Sequence, residues 1–286
     1  SSKKDKHYLN LALSLAKNME VLTGTNTSVE SVLVKNDEVI SLASTGYNGT
    51  PHSEFSLLNK IDKKIAKDSS LYVTLEPCSH YGKTPPCTNI IIDKKISRLV
   101  FGAHDIDERS SKKAKQVLKS KKVKVLNVNV PTITEFYKPY IFQRKYKRPY
   151  VIGKIACSND FFIKSLKSKY ISNTYAQSFS HYLRYKNQAI LVTYKTINED
   201  NPSLDCRLPG LNEYSPIKVI IDKDLKVKKN ANIFKMKNSK IIIFYNSGDK
   251  KKIKFLKIKK AKLINVKLQK NGEFDLKKVM SILYQN

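Results

Sequence analysis

Pro51-His52-Ser53-Glu54 sets an imidazole and a carboxylate two residues apart, and Pro77-Cys78-Ser79-His80-Tyr81-Gly82-Lys83-Thr84-Pro85-Pro86-Cys87 adds two thiols further on. One imidazole and two thiolates suit Zn²⁺, whose catalytic sites use three protein ligands and keep the fourth tetrahedral position for water. Glu54 would take a proton from that water and pass it to a leaving amine without ligating the metal. A metal lowers the pKa of such a water to about 7, which makes hydroxide available at neutral pH. The chemistry this set supports is hydrolytic removal of an amine from a ring carbon. The competing reading is a buried cysteine pair beside a surface histidine, because free cysteine commonly serves as a small core residue. His-x-Glu at a helix start, Pro-Cys after a strand and a second cysteine opening the next helix favour the metal. Cys157 and Cys206 have no partner ligand nearby in sequence and read as core residues.

The elements that must hold these groups follow from hydrophobic period. Tyr8, Leu11, Ala12, Leu15 and Met19 recur at helical spacing and predict a helix over about 5–20. Residues 31–35 and 38–42 flank Asn36-Asp37 as a hairpin. A helical rhythm covers about 52–67, strands 71–75, 98–102 and 123–128, and helices 88–94 and 110–122. Together they predict one α/β domain with a mixed sheet covered by helices on both faces. Proline- and aromatic-rich residues 131–150 read as a junction. Beyond it, an apolar run at 150–156, a helix near 174–185 and strands at 189–193, 218–222 and 240–245 suggest a parallel, nucleotide-binding type of sheet, with a final helix at 275–284. At 286 residues, two domains are expected, 1–147 and 148–286.

The stretch from Cys78 to Cys87, with Val73-Thr74-Leu75-Glu76-Pro77 before it, resembles the deaminase half of the RibD family of bifunctional riboflavin biosynthesis proteins. That resemblance implies a cytidine-deaminase-like three-layer α/β/α domain with a zinc ion on His52, Cys78 and Cys87 and a proton shuttle at Glu54. It also implies that Asn26, His80, Lys83 and Thr84 hold a pyrimidine and its phosphoribosyl group. The second half resembles the family's dihydrofolate-reductase-like α/β reductase domain through Lys154–Asp160, Tyr170-Ile171-Ser172 and Thr196–Arg207. By position, Ala156, Tyr170, Thr196 and Asp200 would contact NADPH, and Ser168, Arg184, Leu204 and Arg207 the substrate. Arginine forks suit a ribose phosphate. The implied reactions are deamination of 2,5-diamino-6-ribosylamino-4(3H)-pyrimidinone 5′-phosphate and NADPH-dependent conversion of the ribosyl to a ribityl group, in a homo-oligomer.

Several positions depart from the family pattern. Thr25–Glu30 replaces a Pro-Asn-Pro-x-Val-Gly loop, with Glu30 for glycine. The loop before His52 is about three residues shorter than is usual, with Asn48 where a substrate-binding histidine is expected. His104–Glu108 replaces an Asp-Pro-Asn-Pro type segment, and Phe161 replaces the glycine of a Ser-x-Asp-Gly turn. The late glycine-rich segment that should wrap the cofactor phosphates falls beyond Asn286, so the reductase domain is expected to lack its C-terminal part.

Composition sets the remaining bounds. A formal charge of +30 admits a polyanion-binding surface. Yet only six of the 54 basic residues are arginine and the lysines are spread along the whole chain, which fits compositional bias and still attracts anionic small substrates. No apolar stretch approaches the ~20 residues of a spanning helix. The charged N-terminus has no signal-peptide pattern, and four scattered cysteines suit a reducing compartment. The expected setting is cytoplasmic, with neither membrane nor nucleic acid as partner. The alternatives are a tRNA- or nucleotide-directed deaminase with a basic binding module, and a zinc-binding, non-catalytic homologue.

Overall fold

The computed structural model describes residues 3–82, 84–109, 111–163, 171–236 and 239–285. The chain divides into two compact units between Tyr150 and Val151.

In the first unit, β1 (Glu30–Lys35) is fully apolar at its centre, and β2 (Glu38–Ser44) returns antiparallel to it through Asn36-Asp37, both at positive φ. The central strand β1 also pairs antiparallel with β3 (Ser70–Leu75), which continues in parallel to β4 (Arg98–Ala103) and β5 (Lys124–Asn127). The sheet order is β2-β1-β3-β4-β5. Val32, Val34 and Tyr72 face one side, against Leu9, Ala12 and Leu13 of α1 (Lys3–Met19) and Ile133 and Tyr137 of α6 (Pro131–Tyr146). Leu33, Leu71 and Val73 face the other side, against Leu57 and Leu58 of α2 (Ser53–Leu58), Ile91 of α4 (Cys87–Asp93) and Leu118 of α5 (Lys113–Ser120). This period-two division of side chains makes three layers.

Two sequence expectations change in this unit. The helix over 52–67 breaks after Leu58 and restarts as α3 (Lys63–Ala66), where the Asp62 side chain accepts the Lys64 N–H at 2.7 Å. Residues 131–146, expected as a junction, form α6. Pro131 occupies the first turn, where its missing N–H costs nothing, and the burial of Ile133 and Tyr137 one turn apart outweighs Pro139 inside the helix.

The second unit is a four-stranded parallel sheet, β6 (Ala189–Thr193), β7 (Ile217–Ile221), β8 (Ile241–Tyr245) and β9 (Ala261–Asn265), in sequential order. Around it run α7 (Thr174–Lys186), α8 (Tyr194–Asp200), α9 (Lys250–Ile258) and α10 (Leu276–Gln285). Ile197 and Leu256 pack on the face of Ile220, and Val279 on that of Val219. The apolar run expected at 150–156 does not form a strand: residues 151–157 join no ladder among the described residues, and Val151, Ile152 and Ile155 are exposed. The turn after it does form, with Phe161 N–H donating to the Ser158 carbonyl at 2.9 Å. Phe161 adopts φ +64°, the left-handed conformation in which glycine is least strained. No helix among the described residues is long and apolar enough to cross a membrane.

Glu30, at the start of β1, is fully buried, and burial raises its carboxyl from 4.5 to about 7, partly offset by the Ser44 hydroxyl across the ladder. Folding therefore favours the protonated acid. The stability it contributes is complete below 4.5 and is lost as pH rises through about 7. Glu30→Gln, neutral at every pH, is expected to exceed the parent by ~1–3 kcal/mol at pH 8 and by much less at pH 4.5. Denaturant midpoints at the two pH values measure this, and an equal difference at both would contradict it.

Candidate functional site

The strand directions bring four loops to one edge of the first sheet. Glu30 at the start of β1 pairs with Ser44 at the end of β2, and Ser31 pairs with Val73 near the end of β3. Because β3 and β4 are parallel, the segments leading into β1, out of β2, out of β3 and out of β4 meet there. This is the carboxyl edge of the parallel strands, where open α/β sheets carry their ligands.

His52 is the N-cap residue of α2, Cys78 follows β3, and Cys87 opens α4. The His52 Nδ1 lies 3.6 Å from the Cys78 Sγ and 3.4 Å from the Cys87 Sγ, and the three donor atoms all lie within 4.8 Å of one another. A tetrahedral zinc with bonds of ~2.3 Å to sulfur and ~2.0–2.1 Å to nitrogen separates those donors by about 3.6 Å, so spacing and donor chemistry both fit the ion. The Cys87 backbone N–H donates to the Cys78 sulfur at 3.3 Å. Hydrogen bonding from Cys87 and His52 lowers Cys78 to about 4, and the Cys78 thiolate in turn raises His52 to about 9. Cys87, hydrogen-bonded to Cys78 and buried, is pushed well above the ordinary thiol value.

Before the metal binds, the directions of these shifts favour a thiolate at Cys78, an imidazolium at His52 and a thiol at Cys87. Zinc requires two thiolates and a neutral imidazole, so its uptake at pH 7 is expected to release about two protons per ion. Calorimetric titration in buffers of different ionisation enthalpy measures this, and no net release would contradict it.

Glu54 sits in the first turn of α2 and is buried. Burial and then the Cys78 thiolate raise its pKa, which suits a group that must hold a proton near neutrality. The Ser53 hydroxyl donates to Glu54 Oε2 at 3.2 Å and lies 2.7 Å from the Ser31 hydroxyl. Since Ser53 has one proton to give, Ser31 donates to Ser53, and a buried relay fixes the carboxylate.

The expected pyrimidine-side residues border these groups. Asn26 Nδ2 donates to the Gly49 carbonyl at 3.4 Å, and a Cβ on Gly49, at φ +88°, would fall 2.3 Å from Asn26 Nδ2, so only glycine fits there. His80 and Thr84 lie half-buried on the segment between the two cysteines; Lys83 is outside the described residues. The loop after β4 contributes groups that sequence reasoning did not single out. Asp105 is held at a raised pKa by burial and adds to the field on His52, and Asp107 is held well below the usual carboxylate range, chiefly by its hydrogen bonds from Arg109. Buried Glu76 accepts from His104 Nδ1 at 2.8 Å and from the Lys112 N–H at 3.2 Å, tying this loop to the strand end before Cys78. The altered segment 104–108 was the one available signal.

In the second unit, Arg184 Nη1 donates to the Asp205 carbonyl at 3.1 Å, the Arg207 N–H donates to His181 Nδ1 at 3.2 Å, and Arg207 Nε lies 3.7 Å from Asp205 Oδ1. The structure brings Arg184 and Arg207 together. Burial, then Arg207, lowers Arg184, while burial and the two arginines hold His181 below its ordinary value. Such a cationic cluster suits a phosphate. The Leu204 side chain is packed in the core at φ +57°, which leaves any ligand contact to its backbone. Thr196 and Asp200 lie one turn apart on α8, directly after β6, where a hydroxyl and a carboxylate suit the ribose of a dinucleotide. Ala156 is half-buried in the unpaired stretch, and Ser168 and Tyr170 lie outside the described residues.

Residues 2–103 match the cytidine and deoxycytidylate deaminase zinc-binding region, and residues 149–286 match the RibD C-terminal domain. The riboflavin biosynthesis protein RibD of Aquifex aeolicus (strain VF5) is 33% identical over 285 residues, covering 98% of this chain and 77% of the relative. That of Bacillus amyloliquefaciens is 34% identical over 232 residues, covering 80% and 62%. The crystal structure of a diaminohydroxyphosphoribosylaminopyrimidine deaminase/5-amino-6-(5-phosphoribosylamino)uracil reductase from Thermotoga maritima superposes with a TM-score of 0.85 at 26% identity, covering 99% of this chain and 78% of that one.

Proposed function

The chain belongs to the RibD family of riboflavin biosynthesis proteins, joining a zinc-type deaminase domain to a RibD reductase domain, and from that premise we propose that it carries out two consecutive steps on one phosphorylated pyrimidine. In the first, residues 1–147 deaminate 2,5-diamino-6-ribosylamino-4(3H)-pyrimidinone 5′-phosphate. In the second, residues 148–286 reduce its ribosyl group to ribityl with NADPH. The observation that carries the reading is the convergence of His52 Nδ1, Cys78 Sγ and Cys87 Sγ beside the buried carboxyl of Glu54.

Zinc held by those three donors supplies Lewis acidity and a water acidic enough to attack near neutral pH. Glu54 takes a proton from the attacking water as its oxygen bonds to the amine-bearing ring carbon. The same carboxyl then delivers that proton to the amine nitrogen as the carbon–nitrogen bond breaks. The remaining water proton passes to the adjacent ring nitrogen, so that one water is consumed, ammonia leaves and a ring carbonyl remains. The Ser31–Ser53 relay holds Glu54 for both transfers. Asn26, His80 and Thr84 border the pyrimidine, and Lys83 is assigned to its phosphate side as a point charge.

In the reductase half, bound NADPH would supply a hydride for the sugar carbon that bears the exocyclic 6-amino nitrogen, with opening of the ribose-ring carbon–oxygen bond at that carbon and a proton completing the alcohol. Thr196 and Asp200, with Ala156 and Tyr170, are assigned to the cofactor, and Arg184 and Arg207, with Ser168 and Leu204, to the substrate. The free cysteines among the described residues support a cytoplasmic setting, and a homo-oligomer is proposed from the family relation.

Mass spectrometry of the pyrimidine after incubation with zinc-loaded protein tests the reading. Replacement of an amino group by a carbonyl oxygen, followed on adding NADPH by uptake of two hydrogens, is expected. An unchanged pyrimidine would contradict the deaminase assignment, and deamination without NADPH-dependent uptake would contradict the reductase one.

A further inference from the structure

Helix α6 contacts two of the four loops at the site edge through a single stripe of polar groups, none of them a zinc donor. Tyr137, Tyr140 and Arg144 stand at i, i+3 and i+7 and therefore share one face. The Tyr137 hydroxyl, wholly buried, donates to the Ser28 carbonyl at 2.9 Å and lies 2.6 Å from Thr74 Oγ1, which accepts the Glu30 N–H at 3.1 Å. Tyrosine has one proton and spends it on Ser28, so Thr74 donates to Tyr137, and the direction of every bond is settled. Arg144 reaches the Thr25 carbonyl at 3.4 Å and lies over the Tyr140 ring at 5.5 Å. The Tyr140 hydroxyl donates to Asp105 Oδ1 at 3.4 Å.

The stretch from Thr25 to Glu30 carries Asn26. It is further clamped to the segment leading to His52, because Thr45 N–H and Oγ1 both donate to the Val29 carbonyl and Thr45 Oγ1 accepts the Val29 N–H. Thr25–Glu30 and the loop of Asp105 are thus fixed to the same rigid helix by buried or half-buried hydroxyls.

We propose that Tyr137 and Tyr140 are positioning residues of the deaminase site, fixing through α6 the Asn26 loop and the Asp105 loop so that the pyrimidine meets a preformed edge, while the zinc donors themselves stand at the end of β3 and the starts of α2 and α4. The inference rests on the deaminase reading above. Loss of one such hydroxyl loosens its own loop and lowers substrate affinity, leaving the metal and Glu54 in place.

The test uses full-length zinc-loaded protein with Tyr137→Phe and Tyr140→Phe. Tyr137→Phe is expected to raise KM for the pyrimidine by ~10-fold and Tyr140→Phe by ~3-fold, the scale of one hydrogen bond, with kcat within about 2-fold and zinc still at one per chain. Amide hydrogen exchange is expected to quicken at 26–30 in the first variant and at 105–109 in the second, each without change in the other loop. A purely structural role would lower the active fraction, and hence kcat per chain, with KM unmoved. That result, or unaltered KM and exchange in both variants, would overturn the proposal. Should Tyr137→Phe fail to fold, Tyr140→Phe decides alone. Absence of ammonia release from the parent refutes the deaminase reading, while loop exchange still decides whether α6 holds the two loops.

Discussion

Glu54→Gln is expected to lower the rate of ammonia release by ~10²–10⁴-fold while one zinc per chain is retained, the range spanned by positioned acid–base groups. The amide can still accept the Ser53 hydrogen bond and fills nearly the same buried volume, so the fold and the metal donors are undisturbed. What it cannot do is carry a proton from water to amine. Burial and the Cys78 thiolate hold the native carboxyl at a raised pKa, which is the property the shuttle needs and the amide lacks. Ser53→Ala removes the orienting bond but leaves the proton carrier, and a smaller loss is expected. Steady-state ammonia release with metal analysis of the same samples measures both. Near-parental turnover in Glu54→Gln would remove Glu54 from the chemistry.

Cys87→Ala is expected to empty the metal site. The Cys87 sulfur lies 3.4 Å from His52 Nδ1, and its backbone N–H supports the Cys78 thiolate, so deleting the sulfur takes one of three donors from the set and leaves only two. The loss of affinity should exceed the ~10–100-fold that substitutions behind the ligands cost. Zinc measured after gel filtration is expected to fall from one per chain to near none, and ammonia release to background. Retention of zinc by the variant would mean that the ion is held by other groups. Unlike Glu54→Gln, this variant should also lose the proton release that accompanies zinc uptake by the parent.

The zinc donors were legible in the sequence because each stands at an element boundary that local pattern reveals. His-x-Glu opens a helix, Pro-Cys leaves a strand, and Cys87 opens the next helix. What local pattern could not show was non-local. Tyr137 meets Ser28 across 109 residues and Tyr140 meets Asp105 across 35, and nothing in either segment announces the other. The Ser31–Ser53 relay depends on the inward face of β1, which register alone decides. Helix α6 was hidden by its prolines, whose local signal for a junction is real but weaker than the burial of Ile133 and Tyr137. Conversely, the apolar run after Tyr150 has the composition of a strand, but a strand exists only where a neighbouring ladder accepts it. In the second unit the arginines were found through resemblance, whereas His181 and Asp205, which hold them together, became visible only when α7 and the segment before β7 met.

The most direct test of the account is the quantity of ammonia released when protein carrying one equivalent of zinc acts on 2,5-diamino-6-ribosylamino-4(3H)-pyrimidinone 5′-phosphate. One ammonia per pyrimidine converted, abolished by removing the metal and restored by returning it, is the predicted result. A zinc-loaded protein with His52, Cys78 and Cys87 bound to the ion that releases no ammonia from this pyrimidine would contradict it.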